Sequence, residues 1–219
     1  MRIDFYTQVH KKQRKMLFAL TAKIGDANFE DSTIVTDIHN DLTLVTKELR
    51  QHAFHEETFV HPLLARKIPR SEKTLHEEHE MLKKYLDDLE INYNHLQTTL
   101  PHYKKLQEQG LEFYRMLNRF ISTYFIHINE EEYTIQNLWE IAMDAELTGM
   151  MIAFQTYDGV EKGQKWLDTH LPTMSIDEQQ LMFKTTQLLA PENIFVTMSQ
   201  LAEQILGDEK WQLILKKLS

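Results

Sequence analysis

Apolar residues recur at steps of three and four through most of residues 3–142, and this spacing constrains the fold more than any other feature. An α-helix completes a turn in about 3.6 residues, so the spacing places apolar side chains along one helix face. Only six glycines and five prolines interrupt 219 residues, which favours long helices over a turn-rich β fold. We therefore expect an all-α chain.

The spacing predicts four long helices, separated at Gly25, Pro69 and Pro101. Their expected ranges are residues 3–24, 32–63, 71–100 and 106–142. Asp31 or Ser32 is the expected N-cap of the second helix. Because short connections force neighbouring helices to be antiparallel, residues 1–144 are predicted to form an up-down-up-down four-helix bundle.

Residues 145–219 have different turn signals and are expected to form three or four shorter helices packed on the bundle. Breaks are predicted at Asp158 and Pro172, and Ser175 with Glu178 has the spacing of a capping box. This segment holds a single histidine, so we expect the chemistry to lie in the bundle.

Composition excludes several classes of function. With 33 acidic and 24 basic side chains the net charge is −9, and the basic residues are dispersed, which argues against nucleic acid and anionic membranes as partners. The absence of cysteine removes disulfides, thiol catalysis and thiolate metal ligands. No apolar run is long enough for a membrane span, and the first four residues become polar too early for a signal peptide. A cytoplasmic protein is therefore expected.

Six polar residues occupy positions that the apolar pattern assigns to the core. They are His10, His52, Glu56, His79, His127 and Glu131. Burial of a bare carboxylate is costly, and two neighbouring carboxylates repel each other unless one is protonated. A metal cation would neutralise the carboxylates and accept the lone pairs of the imidazoles. We therefore predict that these six side chains bind metal.

The predicted ligands repeat within the chain. Residues 52–64 align with residues 127–139 at a period of 75, so that His52 matches His127 and Glu56 matches Glu131. In both segments histidine and glutamate are four residues apart, which puts them about one turn apart on one helix face. Core packing explains a single buried histidine well, but it explains a repeated set of polar residues poorly.

The donor types narrow the choice of metal. Imidazoles and carboxylates without thiolates suit iron, manganese or zinc, and two carboxylates able to bridge indicate two ions rather than one. The ferritin-like di-iron pattern needs glutamate three residues before histidine, and no histidine here has one.

At these residues the sequence resembles the hemerythrin-like family, the histidine–histidine–glutamate cation-binding domain, in its long bacterial form with a C-terminal helical extension. The matching stretches are VHKKQRKMLF, LRQHAFHEETFVHPLL, LHEEHEMLKKYL and FIHINEEEYTIQNLW. The resemblance implies two non-haem iron ions bridged by two carboxylates and an oxygen species. It also implies that His10, His52, His79 and His127 are terminal ligands and that Glu56 and Glu131 bridge.

Oxygen-carrying members of the family have a fifth histidine, which comes from a His-x3-His pair on the third helix. Here His76 lies three residues before His79, so whether His76 is an additional ligand stays open at this point.

The residues around the predicted ligands have ordinary explanations. His55 and His61 lie off the apolar face of the second helix and are expected at the surface, as are His39, His95, His102 and His170. Glu57, Glu130 and Glu132 are expected on a solvated face in preference to a third carboxylate ligand. Tyr6 and Tyr124 are expected to pack in the core, with donation to a bridging oxygen as the alternative.

Three functions fit these observations. The first is a di-iron protein that binds or senses O2, NO or peroxide, or that buffers iron. The second is an enzyme that uses the same centre for peroxide reduction or iron–sulfur repair, so enzymatic activity is left undecided. The third is a metal-stabilised interaction module. A homodimer is compatible with all three.

Overall fold

The computed structural model describes residues 5–98, 103–147, 149–150, 164–189 and 192–216, and every regular element within these ranges is a helix. The all-α prediction is therefore confirmed. The chain divides into two compact units, one formed by Met1–Lys12 with Leu147–Ser219 and the other by Gln13–Glu146. In the described part of the chain, no helix combines the length and the apolar character needed to cross a membrane.

Five α-helices cover most of residues 5–141. They are α1 (Phe5–Gly25), α2 (Ser32–His55), α3 (His61–Lys67), α4 (Pro69–Thr98) and α5 (Tyr103–Ile141). Asp31 is the N-cap of α2, as predicted, and its side chain accepts hydrogen bonds from the backbone N–H groups of Thr33 and Ile34. Between α2 and α3 the chain continues as a π-helical turn, Glu56–Val60, so the predicted second helix is not a regular α-helix.

The unit Gln13–Glu146 has one apolar core to which α1, α2, α4 and α5 all contribute. Contacts between neighbouring helices show that they are antiparallel. Lys23, near the end of α1, binds Asp37 and Asp41 near the start of α2, and the Tyr93 hydroxyl near the end of α4 donates to the Val35 carbonyl at 2.8 Å. This arrangement is the antiparallel four-helix bundle expected from the apolar pattern.

The other unit has its own apolar core. Its C-terminal helices are residues 164–170, Ile176–Leu189, Glu192–Leu206 and Asp208–Leu215, with a 3-10 turn at Leu171–Thr173. Their core centres on Phe183, which packs edge-on against Trp211. The capping box is confirmed, since the Glu178 carboxylate accepts from the Ser175 N–H at 2.7 Å. Asp158 lies outside the described residues, and the expected division at residues 144 and 145 stays a prediction.

Candidate metal centre

Three helices and the π-helical turn bring five of the six predicted ligands together inside the unit Gln13–Glu146. His52 lies in the last turn of α2, Glu56 opens the π-helical turn, and His79 lies on α4. His127 and Glu131 lie one turn apart on α5. Both glutamates, His79 and His127 are at most 3% exposed, and the His52 side chain is 12% exposed. The prediction that these side chains point into the core is confirmed for all five.

Four of these side chains, together with His61, form two adjacent groups that can each hold a metal ion, and His127 belongs to neither group. Ligand atoms of His52, Glu56 and Glu131 lie within 4.8 Å of one another, and the same holds for His61, His79 and Glu131. Because Glu131 belongs to both groups, the two positions are neighbours that share one carboxylate.

Each buried carboxylate lies between two histidines. Glu56 places one oxygen 2.8 Å from Nε2 of His52 and the other 3.5 Å from Nε2 of His79. Glu131 places one oxygen 3.7 Å from Nε2 of His79 and the other 3.6 Å from Nε2 of His127. This disposition suits carboxylates that bridge two cations, because the two oxygens of each group face different imidazoles.

The electrostatics of the cluster favour positive charge at its centre. Burial disfavours the charged form of His79, but the nearby carboxylates of Glu131 and Glu56 outweigh burial and raise the pKa of His79 to about 10. His61 behaves differently, since burial, reinforced by the neighbouring His79, lowers its pKa. The two carboxylates thus stabilise a cation, while His61 presents a neutral imidazole able to donate a lone pair.

Two further carboxylates fix the orientation of the central histidines. Nδ1 of His79 hydrogen-bonds Oε1 of Glu57 at 3.1 Å, and Nδ1 of His127 hydrogen-bonds Oε2 of Glu78 at 2.7 Å. Because a carboxylate only accepts, each Nδ1 carries the proton and donates, which leaves Nε2 to face Glu56 and Glu131. Lys83 holds Glu57 in place with a hydrogen bond of 3.0 Å. Glu57 is therefore partly buried against His79 and not on a solvated face, and the hydrogen bond between Glu78 and His127 was not predicted.

The expectation that His61 lies at the surface is wrong. The residue is buried, with 5% of its area exposed, and its ring stacks on His79 with centroids 5.2 Å apart and planes 13° apart. The expectation assumed a continuous α-helix, and the π-helical turn changes the phase of the helix before residue 61. Pro62 was the available sequence signal, because proline interrupts the α-helical hydrogen-bond ladder.

His10 and His76 have different environments. His10 is fully buried on α1, in the unit that contains Met1–Lys12, and its ring contacts the edge of Tyr6. His76 is exposed on α4, and neither candidate group found among the described residues includes it.

Other residues near the cluster pack as part of the core or pair with charges. The Tyr124 hydroxyl donates to Oε1 of Gln13 at 2.6 Å, and burial, reinforced by Glu56 and Glu131, raises the pKa of Tyr124 well above its ordinary value. Core packing of Tyr124 is therefore confirmed. Glu132 forms an ion pair with Arg14 and is only partly exposed, whereas Glu130 is exposed as expected.

The expected surface position holds for only one of the remaining described histidines. His95 is exposed, but His39 and His55 are half-buried, and His170 is buried against the Trp166 ring with its Nδ1 2.9 Å from the Trp166 carbonyl. His102 lies outside the described residues.

A helical bundle with buried imidazole and carboxylate donors defines a class of cation-binding proteins, since this donor set fits iron, manganese or zinc. The chain matches the model of the hemerythrin HHE cation-binding domain over residues 1–139 and belongs to that family. Comparisons with curated proteins and with solved structures give no match. The predicted family is thus confirmed, and the helices within 164–216 agree with its long form.

Proposed function

We propose that this protein holds two iron ions in the core of the bundle and binds a small molecule there, namely O2, NO or peroxide. The observation that carries the proposal is the pair of adjacent donor groups that share Glu131. A single ion would need only one of these groups, whereas two ions use both and are bridged by the shared carboxylate.

The proposed ligands are the six residues predicted from the sequence. Glu56 and Glu131 would bridge, and His52, His79 and His127 would bind through Nε2, which faces these carboxylates. We include His10 because it shares the buried face of the continuous helix α1 with Gln13 and Leu17, one and two turns further on.

The size of the space beside the histidines supports a small ligand. A cavity of about 20 Å³ is lined by His52, His79, His127, Leu82 and Phe120, among others. A single water needs roughly 10–15 Å³, so this space suits one water or a diatomic molecule and is too small for an organic substrate. Iron held beside it would supply a redox-active position for such a ligand.

Side chains around the cavity orient the proposed histidine ligands and limit the access of water. Glu57 and Glu78 accept hydrogen bonds from Nδ1 of His79 and His127, so that Nε2 is the nitrogen that would bind a metal ion in place of a proton. Leu82 and Phe120 are buried and limit the access of water to the same space.

Metal analysis combined with spectroscopy tests the proposal. Protein prepared with iron should contain about two iron ions per chain, and the anaerobic diferrous form should change its absorption spectrum on addition of O2 or NO. The variants His52→Ala and Glu131→Ala should each lose at least one ion. Glu130→Ala is the matched control, because Glu130 is the exposed neighbour of Glu131 on α5.

The outcomes separate the candidate functions. Two ions without any response to O2, NO or peroxide would refute ligand binding and leave a structural centre. Full metal content in both ligand variants would show that the residues were chosen wrongly. The cytoplasmic location and the homodimer expected from the sequence stay predictions.

A further inference from the structure

His61 combines burial with an available ligand atom. Its side chain is 6% exposed, and its Nδ1 is 3.8 Å from Oε1 of Glu72. Its Nε2 is buried and has no hydrogen-bond partner among the residues that the structure describes. A buried ring nitrogen without a partner is unfavourable unless something else binds its lone pair.

The surroundings of His61 identify what can bind it. The ring stacks on His79 at 5.2 Å, and ligand atoms of His61, His79 and Glu131 lie within 4.8 Å of one another. Two imidazoles and a carboxylate are a common donor set for iron, manganese and zinc. Hydrogen bonding alone does not explain why two stacked histidines converge on one buried carboxylate.

The backbone explains how His61 reaches this position. In a regular α-helix, five residues turn the chain by about 500°, which would place His61 about 140° away from Glu56 around the helix. Instead, the His61 N–H bonds the Glu56 carbonyl, the five-residue bond of a π-helix. This bond brings His61 over Glu56 and onto the same face. Pro62 follows at the start of α3, where its missing N–H removes a bond that a continuous α-helix would require.

We infer that His61 is a metal ligand, delivered by the π-helical turn Glu56–Val60 to the position where His79 and Glu131 hold the second ion. The inference rests on the two-metal centre proposed above. It adds a fifth histidine ligand, which comes from the start of α3. The further histidines of α4, His76 and His95, are both exposed.

The test compares His61→Ala with His76→Ala, which removes the same imidazole from an exposed position on α4. Iron(II) is titrated against a chromophoric chelator, and metal content is measured after desalting. The wild-type chain and His76→Ala should bind two ions. His61→Ala should retain one ion and bind the second about 10- to 100-fold more weakly. Two ions with unchanged affinities in His61→Ala would overturn the inference.

A second measurement reads metal binding in the wild-type chain. Wild-type protein labelled with ¹⁵N in histidine is titrated with zinc as a diamagnetic probe, and His61→Gln is used only to assign the resonance. Zinc should shift the Nε2 resonances of both His61 and His79. A shift of His79 without one of His61 would overturn the inference, while a wild-type chain that binds neither zinc nor iron would refute the proposed centre itself.

Discussion

The hydrogen bond between Glu78 and His127 gives a sharp test of how the chain prepares its metal ligands. The two groups lie on different helices, α4 and α5, and Oε2 of Glu78 is 2.7 Å from Nδ1 of His127. The Glu78 side chain is 29% exposed, so solvent screens the pair only partly. Replacing Glu78 should therefore weaken metal binding without removing any ligand.

The size of the effect follows from the role of the carboxylate. Groups that hydrogen-bond a ligating imidazole contribute about 10- to 100-fold to metal affinity. This range corresponds to about 1.4–2.7 kcal/mol of binding free energy. In Glu78→Gln the amide oxygen can still accept the Nδ1 proton but carries no charge, so we expect a loss near the lower end. Glu78→Ala leaves Nδ1 without this acceptor and should lose more.

Competition between the protein and a chromophoric chelator for iron(II), at constant pH, measures the affinity. Glu77→Gln is the matched control, because Glu77 is the preceding residue on α4, its side chain is 67% exposed, and it pairs only weakly with Lys73 at 3.7 Å. Equal affinities for the wild-type chain, Glu78→Gln and Glu78→Ala would refute the reasoning. A loss in Glu77→Gln as large as that in Glu78→Gln would assign the effect to net charge instead.

Three further predictions concern stability. A Cβ at Gly110 would lie 2.2 Å from the Phe29 ring, so Gly110→Ala should lower the free energy of unfolding by about 1–3 kcal/mol. At Gly149 an added Cβ would meet no side chain within 4 Å among the described residues, so Gly149→Ala should be neutral or stabilising in urea denaturation. Changes of the same sign in both variants would contradict the packing argument. Saturation with iron(II) at about 100 times the dissociation constant should add about 2.7 kcal/mol for each occupied site, seen as a higher Tm that a chelator reverses. An unchanged Tm would contradict this prediction. Burial of the Glu178 carboxyl would raise its pKa, but the hydrogen bond from Lys11 outweighs burial and holds this pKa below its ordinary value of 4.5. Glu178 therefore stabilises the fold above about pH 4.5 and loses this effect as the pH falls, so Glu178→Gln should cost less than about 1 kcal/mol at pH 7 and progressively less towards pH 3. A cost that does not change with pH would contradict this.

Several features could be predicted because they depend on local sequence. The steps of three and four define helix faces, so polar residues such as His79 and Glu131 on an otherwise apolar face had to be buried. Capping is local in the same sense, since a side chain bonds backbone groups two or three residues away. Asp31 and the pair Ser175 and Glu178 were therefore identified correctly.

Other features depend on how the helices pack, and the sequence pattern did not indicate them. Glu78 pairs with His127 because α4 and α5 are antiparallel in one particular register, which no spacing within α4 specifies. His170 is buried, contrary to the expected surface position, although its stacking partner Trp166 lies only one turn earlier in the same helix.

His61 shows the limit of periodicity most clearly. The sequence pattern assigns each residue a direction by assuming a constant turn of about 100° per residue, and that assumption holds only while every N–H bonds the carbonyl four residues before it. The π-helical turn replaces one such bond with a five-residue bond, so every residue after Glu56 is rotated from its expected direction. The sequence by itself determined the four helices and their polar core positions. The tertiary structure decided that His61, and not His76, faces the buried carboxylates.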